Sequence, residues 1–85
     1  MAFERELTYG GKAVGLDFNP SNDKDVYRVK EYFANIIDQM DNLRQYSKDP
    51  EQKRLASIAI TEAQGAQMWA VKALTWKTDT RREPA

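Results

Sequence analysis

No cysteine and no histidine occurs in the 85 residues. That excludes disulfide stapling, thiolate and imidazole metal sites, Cys or His nucleophiles and a histidine pH switch. An excess of charge is also missing. Thirteen basic residues balance thirteen acidic ones, so the summed field gives no reason to expect DNA or RNA as the main partner. No apolar run approaches the roughly 18 residues of a membrane span, and the N-terminus lacks a signal-peptide core. Together these absences point to a soluble cytoplasmic protein with one domain at most.

What is present is helical. Residues 1–20 read as an arm and a turn. Phe3 and Leu7 mix with Glu4, Arg5 and Glu6 in a stretch that suits one short helical turn or an arm. Tyr9-Gly10-Gly11 is expected to break any element, because successive glycines are costly to order. Ala13, Val14 and Leu16 lead to Asp17-Phe18-Asn19-Pro20, a turn in which Pro20 pushes Asn19 out of the helical region. Residues 21–77 form a helical hairpin. Its first helix is expected from Ser21 or Asn22, with Asn22 and Asp25 spaced as a capping box and Asp23 and Asp25 at the positive end of the dipole. Val26, Val29, Phe33, Ile36, Met40 and Leu43 then recur at helical spacing, widened by Ile37. Asp38 and Asp41 read as solvated. Ser47 to Asp49 makes the turn. Asp49 caps the second helix, Pro50 fits its first position, and Gln52 completes a D-x-x-Q box. The charged residues 78–85 read as a frayed, flexible tail of the single domain 1–85.

The second helix carries two apolar stripes. One runs through Leu55, Ile58, Ala59, Ala66, Trp69, Ala70, Ala73 and Trp76. The other, about 100° around the axis, holds Ala56, Ile60, Ala63, Val71 and Leu74. A helix packed only on its hairpin mate needs one stripe, so two imply two neighbours. Residues 3–18 folding back are one candidate cover, and a second copy of the chain is another. The fold class is therefore all-α: an antiparallel helical hairpin with a short N-terminal arm or helix, assembling into a compact helical homo-oligomer.

Little in the chain supports catalysis. Glu62 interrupts the first stripe and must be paired, hydrogen-bonded or near an opening. No second acid, nucleophile or metal ligand accompanies it at helical spacing. Ser21, Ser57 and Thr61 have no obvious base. A non-enzyme without a cofactor is expected. Lys30 on the first helix and Arg54 on the second are the more suggestive residues, either as anion contacts or as solvated charges with their stems laid along apolar surface. In the antiparallel hairpin Lys30 should stand level with roughly residue 67, leaving Arg54 about 20 Å away at 1.5 Å per residue. One small ligand meeting both must lie between protomers. Phe18-Asn19-Pro20-Ser21 stands at the entrance to the first helix. Its polar groups and helical N–H groups suit an anion, and Phe18 or Tyr9 offers a flat face for a base. The alternative is a structural cap with Phe18 in the core.

Phe18-Asn19-Pro20-Ser21, Ile36-Ile37-Asp38, the run from Arg54 to Glu62, and Ala66-Gln67-Met68-Trp69-Ala70-Val71-Lys72-Ala73-Leu74-Thr75 resemble the small phage proteins of the Acb2 family. They also resemble the related helical-hairpin domain of the Tad1 family. The likeness covers about residues 18–76. The Met-Trp-Ala-Val-Lys-Ala stretch and the Arg-x-x-x-x-Ala-x-Thr pattern are its most specific parts. The resemblance implies an anti-CBASS sponge that sequesters cyclic oligonucleotide messengers, uncleaved, in the cytoplasm of the infected bacterium. It implies a hexamer with cyclic dinucleotides such as 3′,3′-cGAMP between protomers and, in some members, cyclic trinucleotides at separate sites. Carried over by position, Lys30 holds phosphate and Arg54 reaches the ligand from another subunit. Phe18, or alternatively Tyr9, stacks on a base, with Asn19 and Ser21 beside it. The approach to the helix departs from the family pattern, since Phe18 cannot make the hydrogen bond of a tyrosine. The rival reading is a non-enzymatic helical protein-interaction module that uses the two apolar stripes to bind another protein.

Overall fold

The structure, a computed structural model, describes residues 6–76. It contains α1 (Tyr9–Ala13), α2 (Lys24–Tyr46) and α3 (Pro50–Leu74). α2 and α3 form the antiparallel hairpin, and α1 lies against α2. The expected tail at 78–85 and the residues before Glu6 lie outside the described residues.

The hairpin turn follows local chemistry. Ser47 closes α2 through its backbone N–H to the Leu43 carbonyl, and Asp49 opens α3 with Pro50 in the first turn. Asp49 Oδ1 accepts from the Glu51 N–H at 2.9 Å, so the cap is made one residue earlier than a box to Gln52 requires. The start of α2 also differs from expectation. Asn22 adopts φ +55° and Asp23 is the cap, accepting from the Asp25 N–H at 2.7 Å. A residue in the left-handed region cannot begin a right-handed helix, and asparagine is among the few that tolerate it.

Gly10 and Gly11 do not break the chain. They lie inside α1, which is capped by the Thr8 side chain accepting from the Gly11 N–H at 3.0 Å. The reason is tertiary. A Cβ on Gly10 would stand 2.1 Å from the Ala34 carbonyl oxygen, so only glycine lets α1 approach α2 this closely. The approach is clamped by the Gly10 N–H donating to Asp38 Oδ1 at 2.7 Å. Asp38 is therefore a docking residue and not a solvated one. Asp41 is likewise engaged, accepting from Arg44 and Gln45.

The buried line of α2 runs Val26, Lys30, Ala34 and Ile37. The expected seam through Val29, Phe33, Ile36, Met40 and Leu43 is only partly buried, and Ile36 is 48% exposed. α2 meets both the arm and α3, so its most buried line falls between the two contacts instead of centring on the most apolar stripe. Val14 and Leu16 fold back to join Ala34, Ile37 and Ile60 in the core. On α3 the inward face is Ala56, Ile60 and Gln67, with Ala63 and Val71 beside them. Leu55, Ile58, Trp69 and Trp76, all from the other stripe, are exposed. The inner stripe of α3 is thus covered chiefly by α2, with Val14 and Leu16 of the arm reaching Ile60, and the outer stripe is left open. With extents of 60 × 41 × 12 Å the molecule is flat.

Two glycine substitutions separate these effects. Gly10→Ala must displace backbone, and is expected to cost about 1–3 kcal/mol. Gly65, inside α3, has nothing within 4 Å of an added Cβ, so Gly65→Ala is expected to stabilise the chain by about 0.5–1 kcal/mol. Chemical denaturation of both variants checks the opposite signs.

Candidate functional site

Between α1 and α2 the chain makes a tight loop. Gly15 has φ +63°, and its carbonyl accepts from the Phe18 N–H at 2.9 Å. Beyond the turn, Asn19 Nδ2 donates to the Asp23 carbonyl at 2.9 Å and Ser21 Oγ donates to Asn19 Oδ1 at 2.8 Å. These bonds tie the loop to the start of α2. Phe18 is left projecting, with 71% of its surface exposed, so it is not a core residue.

Lys30 reaches this loop from beneath. The residue is buried, and its ammonium donates to the Gly15 carbonyl at 3.0 Å and to the Phe18 carbonyl. Its Nζ also lies 5.5 Å from the centre of the Phe18 ring. Desolvation pulls its pKa below the ordinary 10.5, and the two carbonyl bonds supply the partners that a buried ammonium needs. An ammonium has three donors, so one remains beyond these two bonds.

Above the ammonium lies a cavity of about 300 Å³. Loop residues 18–21 line it together with Val26 of α2, Val71 of α3 and Thr75, the residue that caps the end of α3. Four of the six sequence-predicted residues, Phe18, Asn19, Ser21 and Lys30, come together here. Asn19 and Ser21 already use polar groups to hold the loop. Thr75 Oγ1 donates to the Val71 carbonyl at 2.8 Å, which leaves its oxygen lone pairs for the cavity. Sequence reasoning missed Val71 and Thr75. Thr75 was visible as the last residue of the Ala66–Thr75 stretch, but only tertiary structure sets it beside Phe18.

Tyr9 and Arg54 are elsewhere. The Tyr9 ring lies 5.2 Å from the Arg44 guanidinium. Arg44 Nε bonds Asp41 Oδ1 at 2.9 Å and Nη1 donates to Ser57 Oγ at 3.1 Å. A hydrogen bond to Tyr9, then the one to Asp41, raises the Arg44 pKa further. Arg44 thereby ties all three helices together. Arg54 makes two exposed bonds to Glu51, at 3.0 and 2.6 Å, and this partnership lowers the Glu51 pKa and raises that of Arg54. It lines a separate open groove of about 340 Å³ with Ser57, Ile58, Thr61 and Glu62. Lys30 shares its cavity with Val71 of α3. Arg54 is then about 25 Å from that point along α3.

A larger cavity of about 520 Å³ is lined by Asp17, Asp23 and Glu31 as well as Lys24 and Arg28, an acidic excess of one that gives no welcome to a phosphate. Among the described residues no cluster of three or more His, Cys, Asp or Glu side chains could hold a metal ion. No described helix is long and apolar enough to cross a membrane.

A protein-family model described as "Acb2/Tad1, hairpin domain" matches residues 11–75. The matched stretch contains the Phe18 loop, Lys30 and Arg54. No curated protein and no solved structure gives a significant match.

The two arginines are expected to separate in stability measurements. Arg44→Met severs a partly buried three-helix tie and is expected to cost about 1–2 kcal/mol. Arg54→Ala removes only an exposed pair within one helix, and should leave the urea midpoint unchanged. Parallel urea titrations followed by circular dichroism test this contrast.

Proposed function

The chain belongs to the Acb2/Tad1 hairpin-domain family, and we propose on that footing that it binds and sequesters a cyclic oligonucleotide second messenger without cleaving it. The observation that carries the reading is the joining of a base-sized exposed ring and a buried ammonium in one cavity, within the stretch that matches the family. Phe18 stacks on a base, and the remaining Lys30 donor meets the neighbouring phosphate. Arg54 contributes from another protomer, exchanging its Glu51 partner for phosphate. A cyclic dinucleotide such as 3′,3′-cGAMP is the first candidate, because a two-fold ligand suits a two-fold interface. Cyclic trinucleotides are the second. In an infected bacterium such binding withholds the messenger from its effector and suppresses CBASS-type signalling.

The uncovered stripe of Leu55, Ile58, Trp69 and Trp76 supports assembly, since an apolar helix stripe ordinarily packs against another element. A homo-hexamer is the proposed state. The same stripe also favours the rival reading, in which the protein is a helical interaction module for another protein. A closed oligomer that loads nucleotide separates the two.

Native mass spectrometry with 3′,3′-cGAMP, cyclic di-GMP, cyclic di-AMP and cyclic tri-AMP is the direct test. The expected result is a discrete oligomer carrying ligand that is recovered intact after heat denaturation. Absence of any bound species at high micromolar protein refutes the sponge reading. Arg54→Ala should weaken binding at least tenfold with the oligomer intact. Phe18→Ala should cost about 1–3 kcal/mol of affinity. Trp69→Asp should disperse the oligomer while helicity persists, because that ring is exposed within the chain.

A further inference from the structure

We infer that Lys30 is a positioning residue for Phe18: by tying the Gly15 and Phe18 carbonyls to α2, it sets where the exposed ring stands relative to its own remaining donor. This rests on the proposed nucleotide binding for what the cavity takes, but the tether itself does not.

Phe18 needs such an anchor. With 71% of its surface exposed, little packing holds the ring in place. Its location is inherited from its backbone. The start of the turn is tied to α1 by the Gly15 and Leu16 N–H groups, which donate to the Lys12 and Gly11 carbonyls at 3.2 and 2.9 Å, and by the buried Leu16 side chain. The Phe18 end has two attachments. One is the local turn, in which the Phe18 N–H bonds the Gly15 carbonyl. The other is the Lys30 ammonium, which bonds both the Gly15 and the Phe18 carbonyls from a buried position on the central helix. The ammonium therefore grips both ends of the turn. The Asn19 and Ser21 bonds fix the far side of the loop to the α2 start but do not reach the turn itself.

The tetrahedral arrangement of ammonium donors adds a geometric consequence. With two N–H groups directed at the carbonyls, the direction of the third is fixed, and so is its relation to a ring 5.5 Å away. The stacking face and the anion contact become one rigid unit. Such a unit selects a base and a phosphate joined through one ribose over a free base or a free phosphate. Arginine is not equivalent here, because its longer, planar guanidinium cannot occupy the small buried position of the ammonium between the two carbonyls without pushing the loop outward.

Hydrogen exchange on the unliganded protein tests the tether first. In Lys30→Met, which keeps much of the stem's volume, residues 15–18 should exchange at least tenfold faster, with the α2–α3 turn unchanged. Lys30→Arg should also accelerate the loop, and it provides a second variant should the methionine protein fail to fold. Unaltered exchange at residues 15–18 in a folded variant overturns the inference. Titration of 3′,3′-cGAMP into wild type, Lys30→Met, Phe18→Ala and the double variant then tests the coupling. If Lys30 positions the ring, removing Phe18 from the Lys30→Met background should cost less than twofold, against at least tenfold in wild type. Fully multiplicative losses overturn the positioning role. If wild type binds no member of the nucleotide panel, the functional reading fails while the exchange experiment still decides the tether.

Discussion

Two long helices and a short one, in a flat molecule of about 12 Å in its least extent, can shield only what lies between them, and most of this protein's packing follows from that constraint. α2 makes the main packing with both of the other helices, and it supplies both of the large side chains that are fully buried, Ile37 and Val26. Small residues do the rest. Gly10, Ala34 and Ala56 bring backbones together because a thin core has no volume for larger ones. The apolar surface that cannot be enclosed within the chain collects on the outer side of α3, where the proposed assembly would bury it.

The same constraint sorts the cations. Composition counts Lys30, Arg44 and Arg54 alike, yet their surroundings give them three different jobs. Lys30 is withdrawn from solvent and satisfied by backbone carbonyls, so it shapes a loop. Arg44 sits where all three helices meet and joins Tyr9, Asp41 and Ser57. Arg54, exposed at the start of α3, is held only by a glutamate one turn earlier and can exchange it without disturbing the fold. Of the three, it is the cation best placed to answer to a ligand from outside the chain.

The hairpin was legible because its punctuation is local. Asp49-Pro50 needs no distant partner to open a helix, and the apolar recurrence on both sides of it requires only the helical period. α1 was not legible, since Gly10-Gly11 reads as a breaker until Ala34 and Asp38 stand opposite. Periodicity likewise identified both stripes of α3 without telling which one faces α2. Four of the six candidate site residues do converge, because the Phe18–Ser21 turn and Lys30 are brought together by one loop. The burial of Lys30 could not be read from the chain, as lysine is seldom buried and its partners here are carbonyls, which every residue possesses. Val71 and Thr75 reach the site only through tertiary packing, since more than forty positions separate them from Phe18 and Lys30 along the chain.

Both tryptophans of the chain, Trp69 and Trp76, lie on the open side of α3, at 70% and 64% exposure. The core has no indole at all. An isolated chain should therefore fluoresce at the long wavelengths of water-exposed indole even when fully folded, and its emission should report poorly on unfolding. Whatever covers that side will shift the emission to the blue. The protein thus carries an optical gauge of contact with its surroundings that is nearly blind to its own folding, which makes dilution experiments readable without any label.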